Sequence, residues 1–197
     1  CKYKYFYRNK MEFSFTENRW LTNKEIRSEN KEIERRGIGF HISGMWDKVV
    51  DINNCHLQSD PSNKIRLSVK EFAINNKISF YNSRLKNGML RNLMIRNTSL
   101  NEFMVVIQFF ENDKKGIYLI LNHLKSSFKE ITSLQYVINN KENDSIYDRE
   151  VNLFYGKKYI NEVIDKLNFK IYPKSFFQTN INQTIKLYDL VKDFANL

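Results

Sequence analysis

The side chains able to act as nucleophiles or to hold a metal are few in this 197-residue chain, and they lie far apart. There are two cysteines, Cys1 and Cys55, and three histidines, His41, His56 and His123. Zinc sites and disulfide frameworks need clustered ligands at short spacings, and none of these residues provides one. No Ser-His-acid or Cys-His arrangement is legible. The carboxylates are scattered over charged stretches, and no pair stands out for general acid–base work. No glycine-rich turn follows a strand-like segment, so the P-loop and dinucleotide fingerprints are excluded within the chain. Taken alone, these residues describe a domain that binds something.

The charge balance bears on what is bound. Against 22 Asp and Glu stand 32 Lys and Arg, a formal net charge of +10. A cationic surface favours a polyanion, because neutralised phosphates release their condensed counterions. An AT-rich genome also enriches Lys, Asn and Ile, so composition leaves both explanations open. Patterning supplies sharper candidates. Arg8 and Lys10 share the polar face of an alternating segment, and Arg91 and Arg96 flank Asn92-Leu93-Met94-Ile95 on what alternation makes opposite faces. Such groups grip phosphate and carry little sequence information. Lys157-Lys158 and the run Lys24 to Arg36 read as plain solvated charge. Tyr3, Tyr5 and Tyr7 are an aromatic platform or strand core, the second being the more frequent role. No run approaches the roughly 18 apolar residues of a membrane-spanning helix, and the N-terminus lacks the apolar stretch of a signal peptide. The expectation is a cytoplasmic monomer with no membrane partner.

The elements that must position these residues follow from periodicity. Tyr5 to Phe15 alternates as a half-buried strand, with Tyr5, Tyr7, Met11, Phe13 and Phe15 on one face. Thr22 to Arg36 is an exposed excursion, helical in part. Gly37 to Ile42 and Lys48 to Ile52 flank Ser43-Gly44 as a hairpin. Ser59-Asp60-Pro61 starts a helix carrying Ile65, Val69, Phe72 and Ala73. Strands at Met89 to Arg96 and Glu102 to Phe110 precede a helix capped by Asn112-Asp113, with Ile117, Ile120, Leu121, Leu124 and Phe128 on one side. Further strands follow at Ser133 to Asn139, Asp148 to Tyr155, Tyr159 to Ile164 and Phe169 to Tyr172. Thr179 or Asn180 starts a last helix. Sequential strands with few crossover helices predict an α+β fold, a mainly antiparallel sheet with two packed helices.

Four segments also carry a family pattern. They are Tyr7-Arg8-Asn9-Lys10-Met11-Glu12-Phe13-Ser14-Phe15, Gly39-Phe40 through Val49-Val50-Asp51-Ile52 to Cys55, Leu90-Arg91-Asn92-Leu93-Met94-Ile95-Arg96, and Pro173-Lys174-Ser175-Phe176-Phe177-Gln178-Thr179-Asn180. In this order they resemble the RNA uracil-5-methyltransferase family, and within it the enzymes that methylate 23S ribosomal RNA. The resemblance implies that residues 1–172 are the central, RNA-contacting domain. Residues 173–197 would be the start of a truncated, Rossmann-type catalytic domain that uses S-adenosylmethionine. In the family reaction a Cys thiolate attacks C6 of a flipped-out uracil, and C5 then takes the methyl group. That Cys is not in the matched segments, so no catalytic residue is expected in this chain and the chain alone is expected to be inactive. Cys55 matches the fourth ligand of the family's 4Fe–4S cluster, whereas Cys1 lies too close to Arg8 to match the others. Gln178 matches the glutamine at the cofactor and uracil site, and Phe176 an aromatic beside displaced bases. The implied partner is ribosomal RNA. Two alternatives stay open, a stand-alone RNA-binding module without catalysis and a tRNA enzyme. The cluster ligand at Cys55 weighs against the second.

Overall fold

A computed structural model describes residues 4–28 and 32–196, so Cys1, Tyr3 and part of the charged excursion lie outside the described residues. Phe13 and Phe15 on β1 (Lys10–Thr16) begin the core. A short α1 (Asn23–Ile26), the hairpin β2 (Gly37–Ile42) and β3 (Met45–Asp51), and α2 (Ser62–Asn75) follow. Then come β4 (Leu90–Asn97), β5 (Phe103–Phe109), α3 (Lys114–Ser127), β6 (Ile131–Ile138) and β7 (Asn152–Gly156). The hairpin β8 (Ile160–Ile164) and β9 (Leu167–Ile171) leads into α4 (Ile181–Ala195).

Seven strands form one sheet in the order β3-β2-β1-β4-β5-β6-β7, and β8-β9 form a second. Every neighbouring pair is antiparallel except β5 and β6, which run parallel. Parallel neighbours need a crossover, and α3 supplies it. The α+β expectation of a mainly antiparallel sheet with two packed helices holds. Ile65, Val69 and Ala73 of α2 and Ile117, Ile120, Leu121 and Leu124 of α3 bury one sheet face, against Phe13, Leu93, Ile95, Val105 and Ile107. The other face carries Met94, Met104, Val106 and Val137, covered by Ile160 and Ile171 of the small hairpin. With both faces covered, β4 and β5 become nearly continuous buried runs. Asp165 and Lys166 close the small hairpin, both with positive φ (47° and 68°), as tight two-residue hairpin turns require.

Three local details depart from the sequence pattern. β1 starts at Lys10 instead of Tyr5, because Phe6 adopts φ 54° and ends the extended run. The amides of Phe6 and Arg8 instead donate to the carbonyls of His56 and Leu57, at 2.8 and 2.9 Å. α2 has Pro61 as its N-cap, with no side-chain cap. There the Ser62 amide donates to the Ser59 carbonyl, and the Ser62 hydroxyl donates to Oε1 of buried Gln58. β7 begins at Asn152, later than Asp148. The other two long helices start as their caps predict, with Asp113 accepting from Lys115 and Gly116 and Asn180 accepting from Gln183.

The charged excursion is more structured than solvated charge. Glu25 closes a capping box with Thr22 and meets Arg19 at 2.5 Å, and Glu34 meets Arg36 at 2.6 Å. Hydrogen bonds from Arg19 and then Thr22 hold the Glu25 carboxyl down at about 2, and the hydrogen bond from Arg36 does the same for Glu34. Folded values below the ordinary ones mean that both contacts favour the folded state above the usual carboxylate range. That contribution fades as pH falls toward 2. NMR titration is expected to place both midpoints near 2, with Arg19→Ala raising the Glu25 midpoint alone, part of the way to the ordinary range, because the Thr22 hydrogen bonds remain. A wild-type Glu25 midpoint above 4 overturns this assignment.

Candidate nucleic-acid and cofactor interface

Asn9 joins two segments of the family pattern that are far apart in sequence. Its side-chain amide donates to the Gln178 carbonyl at 2.9 Å. Its backbone amide donates to the Thr179 carbonyl at 2.8 Å, and its own carbonyl accepts from the Asn97 amide at 3.0 Å. The entry to β1, the end of β4 and the start of α4 are therefore tied at one residue. Asn9 was not singled out from the sequence; an asparagine inside an alternating strand pattern, where that residue is depleted, is the signal that could have marked it.

Arg96, at the end of β4, fixes the turn that precedes Gln178. Its guanidinium donates to the Ser175 carbonyl at 2.7 Å and the Pro173 carbonyl at 3.4 Å. Burial pushes its pKa below the ordinary arginine value. Beyond the turn the two phenylalanines part. Phe177 turns inward, 5.9 Å from the Phe169 ring and against the second core cluster. Phe176 points out and is 84% exposed. Gln178 is half-buried between them and α4.

Arg8 and Lys10 are half-buried and line a groove of about 510 Å³ with Met11, Phe40, Leu57 and Thr179. Thr179 places this groove directly beside Gln178. Next to Phe40, Gly39 lets β2 run hard against β3: a Cβ at Gly39 would meet the Val50 carbonyl oxygen at 1.9 Å. Lys10 is partly neutralised by Glu12 at 2.6 Å.

Arg91 and Arg96 are not phosphate-facing, which corrects the expectation for this pair. Arg91 is 1% exposed and makes five hydrogen bonds. Its partners are the carbonyls of Asn139, Lys141 and Glu142 and the Asp144 carboxylate, which accepts from both Nε and Nη2. Its guanidinium also lies 4.8 Å from the Tyr81 ring centre. The opposite-face expectation fails with it. The register shifts between Leu90 and Asn92, and this bulge turns Arg91 toward the side where Asp144 lies with Met94. Tyr5 is exposed and packs edge-on against His56 at 5.9 Å, so it is not strand core.

No protein-family model matches the chain. Its relatives include uncharacterized RNA methyltransferases of Bacteroides thetaiotaomicron, 46% identical over 195 residues (98% of this chain, 43% of the relative), and of Porphyromonas gingivalis, 44% identical over 197 residues (98% and 42%). The tRNA (uracil(54)-C(5))-methyltransferase of Pyrococcus abyssi is 31% identical over 165 residues, 83% of this chain and 38% of the relative. The crystal structure of the Pyrococcus abyssi tRNA (uracil-54, C5)-methyltransferase in complex with S-adenosyl-L-homocysteine superimposes with a TM-score of 0.70 at 28% identity. That match covers 95% of this chain and 41% of that one. The chain belongs to the RNA uracil-C5-methyltransferase family. It spans about two fifths of the length of these relatives.

Family membership does not by itself select ribosomal RNA. The segment's fold is shared with a tRNA enzyme over nearly all of its length. Cys55 is buried beside the larger core cluster, and Asn63 holds its backbone from both sides, at 2.8 and 3.1 Å. Asn63 Oδ1 also accepts from the Arg66 guanidinium at 3.2 Å. A 4Fe–4S cluster takes four thiolates, and Cys55 is one buried thiol. Among the described residues no group of three His, Cys, Asp or Glu side chains is placed to hold a metal.

Proposed function

We propose that this chain is the RNA-handling segment of an S-adenosylmethionine-dependent RNA uracil-C5-methyltransferase acting on 23S ribosomal RNA. The observation that carries the reading is the Asn9 junction, which ties Gln178, two residues after exposed Phe176, to the strand entry that carries the cationic Arg8–Lys10 groove. Residues 1–172 form the central domain and residues 173–197 begin the catalytic one. S-adenosylmethionine supplies the methyl group. The amide of Gln178 offers both a donor and an acceptor, which suits a uracil edge or a methionine carboxylate. Phe176 gives a base out of its stack a ring to lie on, and Arg8 and Lys10 hold flanking phosphate. Cys55 contributes one cluster ligand. On α4, Leu187, Leu190, Val191 and Phe194 recur at helical spacing and are all exposed, a stripe suited to the packing of the catalytic domain. The reacting thiolate belongs to that domain, so the 197-residue chain alone transfers no methyl group on this reading. The similarity to the Pyrococcus abyssi enzyme favours tRNA as the second reading.

The test is methyl transfer by the full-length natural protein from labelled S-adenosylmethionine to unmodified 23S ribosomal RNA and tRNA transcripts. Label is expected as 5-methyluridine in the ribosomal transcript. Label in tRNA instead establishes the second reading, and label in neither overturns both.

A further inference from the structure

We infer that single-stranded RNA flanking the target uridine follows a cationic lane from the Arg8–Lys10 groove, past the 173–175 turn, to a pocket built by Lys158, Tyr172 and Lys174. The inference rests on the RNA-binding reading above and adds a path to it. Three depressions share walls. Lys10 belongs both to the Arg8 groove and to a small cleft of about 90 Å³ that also contains Tyr147, Pro173 and Lys174. Pro173 and Lys174 belong in turn to a pocket of about 500 Å³ with Leu153, Lys158 and Tyr172.

The lane combines free positive charge with exposed rings. Lys158, Lys170 and Lys174 make no ion pair among the described residues. Lys174 is held by neutral acceptors, the carbonyls of Tyr147 and Arg149, which leave its charge uncompensated. The carboxylates along the lane are Glu12, paired with Lys10, Asp144, paired with Arg91, and Glu150 in the far pocket. Tyr172 is 44% exposed, and its ring meets that of Tyr159 at 5.4 Å, with the Lys170 ammonium 5.0 Å from the Tyr159 centre. Phe176 stands four residues along the same turn. Lysines spaced between accessible aromatic faces suit a backbone with unstacked bases, since phosphates take the charge and bases take the rings. Lys157-Lys158 therefore divides: Lys157 pairs with Glu102 at 3.2 Å, and Lys158 faces the lane.

The experiment is fluorescence anisotropy of a labelled 12-nucleotide uridine-containing single-stranded RNA, titrated with the 197-residue chain at several salt concentrations. Lys158→Glu is expected to weaken binding roughly tenfold at low salt and to lower the slope of log affinity against log salt by about one. Tyr172→Ala is expected to weaken it roughly tenfold with the slope unchanged, because stacking releases no counterions. Lys129→Glu, an exposed site just past α3, makes the same change in net charge and is expected to weaken binding less than about twofold. Equal losses from Lys158→Glu and Lys129→Glu, with Tyr172→Ala silent, overturn the lane and leave RNA binding at the Arg8 groove standing. Displacement by polyglutamate as readily as by unlabelled RNA also overturns it, in favour of a general polyanion surface. Failure of the wild-type chain to bind the RNA at low salt overturns both the lane and the reading beneath it.

Discussion

Asn9→Ala in the full-length protein is expected to lower kcat for methyl transfer by roughly 30- to 100-fold, since displacement of a positioned group by about 1 Å is worth up to about 100-fold. The substitution removes one hydrogen bond, from the side-chain amide to the Gln178 carbonyl. The two backbone bonds of residue 9, to Thr179 and from Asn97, survive it. The strand and the helix therefore stay docked, and the stability lost is about 1 kcal/mol, the net worth of one half-buried neutral hydrogen bond. What changes is the register of the Gln178 peptide relative to β1, and with it the direction of the Gln178 amide. Asn9 is a positioning residue on this account, so the kinetic signature matters as much as the size of the loss. RNA affinity of the intact protein should stay within about threefold, because the Arg8 groove is untouched, while turnover falls. Asn9→Asp replaces the donor by a second acceptor facing a carbonyl, and should be at least as damaging. Full turnover in Asn9→Ala, or a loss of turnover matched by a collapse in Tm, would remove the positioning role.

Arg91→Ala carries the largest expected stability cost of any single change considered, about 3–4 kcal/mol, as for other breakages of a buried charge network. For a chain of this length that corresponds to a fall in Tm of about 6–16 °C. The reason lies in what Arg91 binds. Three of its four partners are backbone carbonyls of the 139–142 turn, which lose a buried cationic donor once the guanidinium is gone, leaving the bonds of Asn139 to Phe109 and Gln108 to hold the turn to the sheet. The fourth, Asp144, is 52% exposed and can return to water. Asp144→Asn should therefore cost under about 1 kcal/mol, within the range of exposed ion pairs. Urea unfolding with a shared m-value separates the two. Equal costs for Arg91→Ala and Asp144→Asn would mean that the ion pair, not the carbonyl cage, holds the turn. Below the melting temperature Arg91→Ala should also leave the salt slope of RNA binding unchanged, because a guanidinium 1% exposed meets no phosphate.

These two residues mark where a sequence reading is strong and where it stops. Alternation in β1 identified Met11, Phe13 and Phe15 as one face, and all three are buried. The stripe of Ile117, Ile120, Leu121 and Leu124 identified the buried side of α3, and Asn112-Asp113 and Thr179-Asn180 located two helix starts, at which the caps are Asp113 and Asn180. Alternation and capping are properties of neighbours along the chain, so they are written in the residues themselves. The same holds for the family pattern, whose segments carry Gln178, Phe176 and Arg8 in order.

Tertiary structure alone decided the rest. That β1 lies between β2 and β4, and that β5 and β6 are parallel, depend on pairings between segments whose patterns fit several partners equally well. Which phenylalanine of the 176–177 pair is core depended on the place of Phe169. Periodicity gave Arg91 and Arg96 exposed roles because arginine is rarely buried. Burying a long guanidinium is costly unless acceptors meet its donors, and here those are carbonyls of residues 139–142 and 173–175, although Arg96 Nε is left unmet. Backbone carbonyls are the same in every residue type. Their positions come from the path of the chain, so no reading of side chains along the sequence could have put them there.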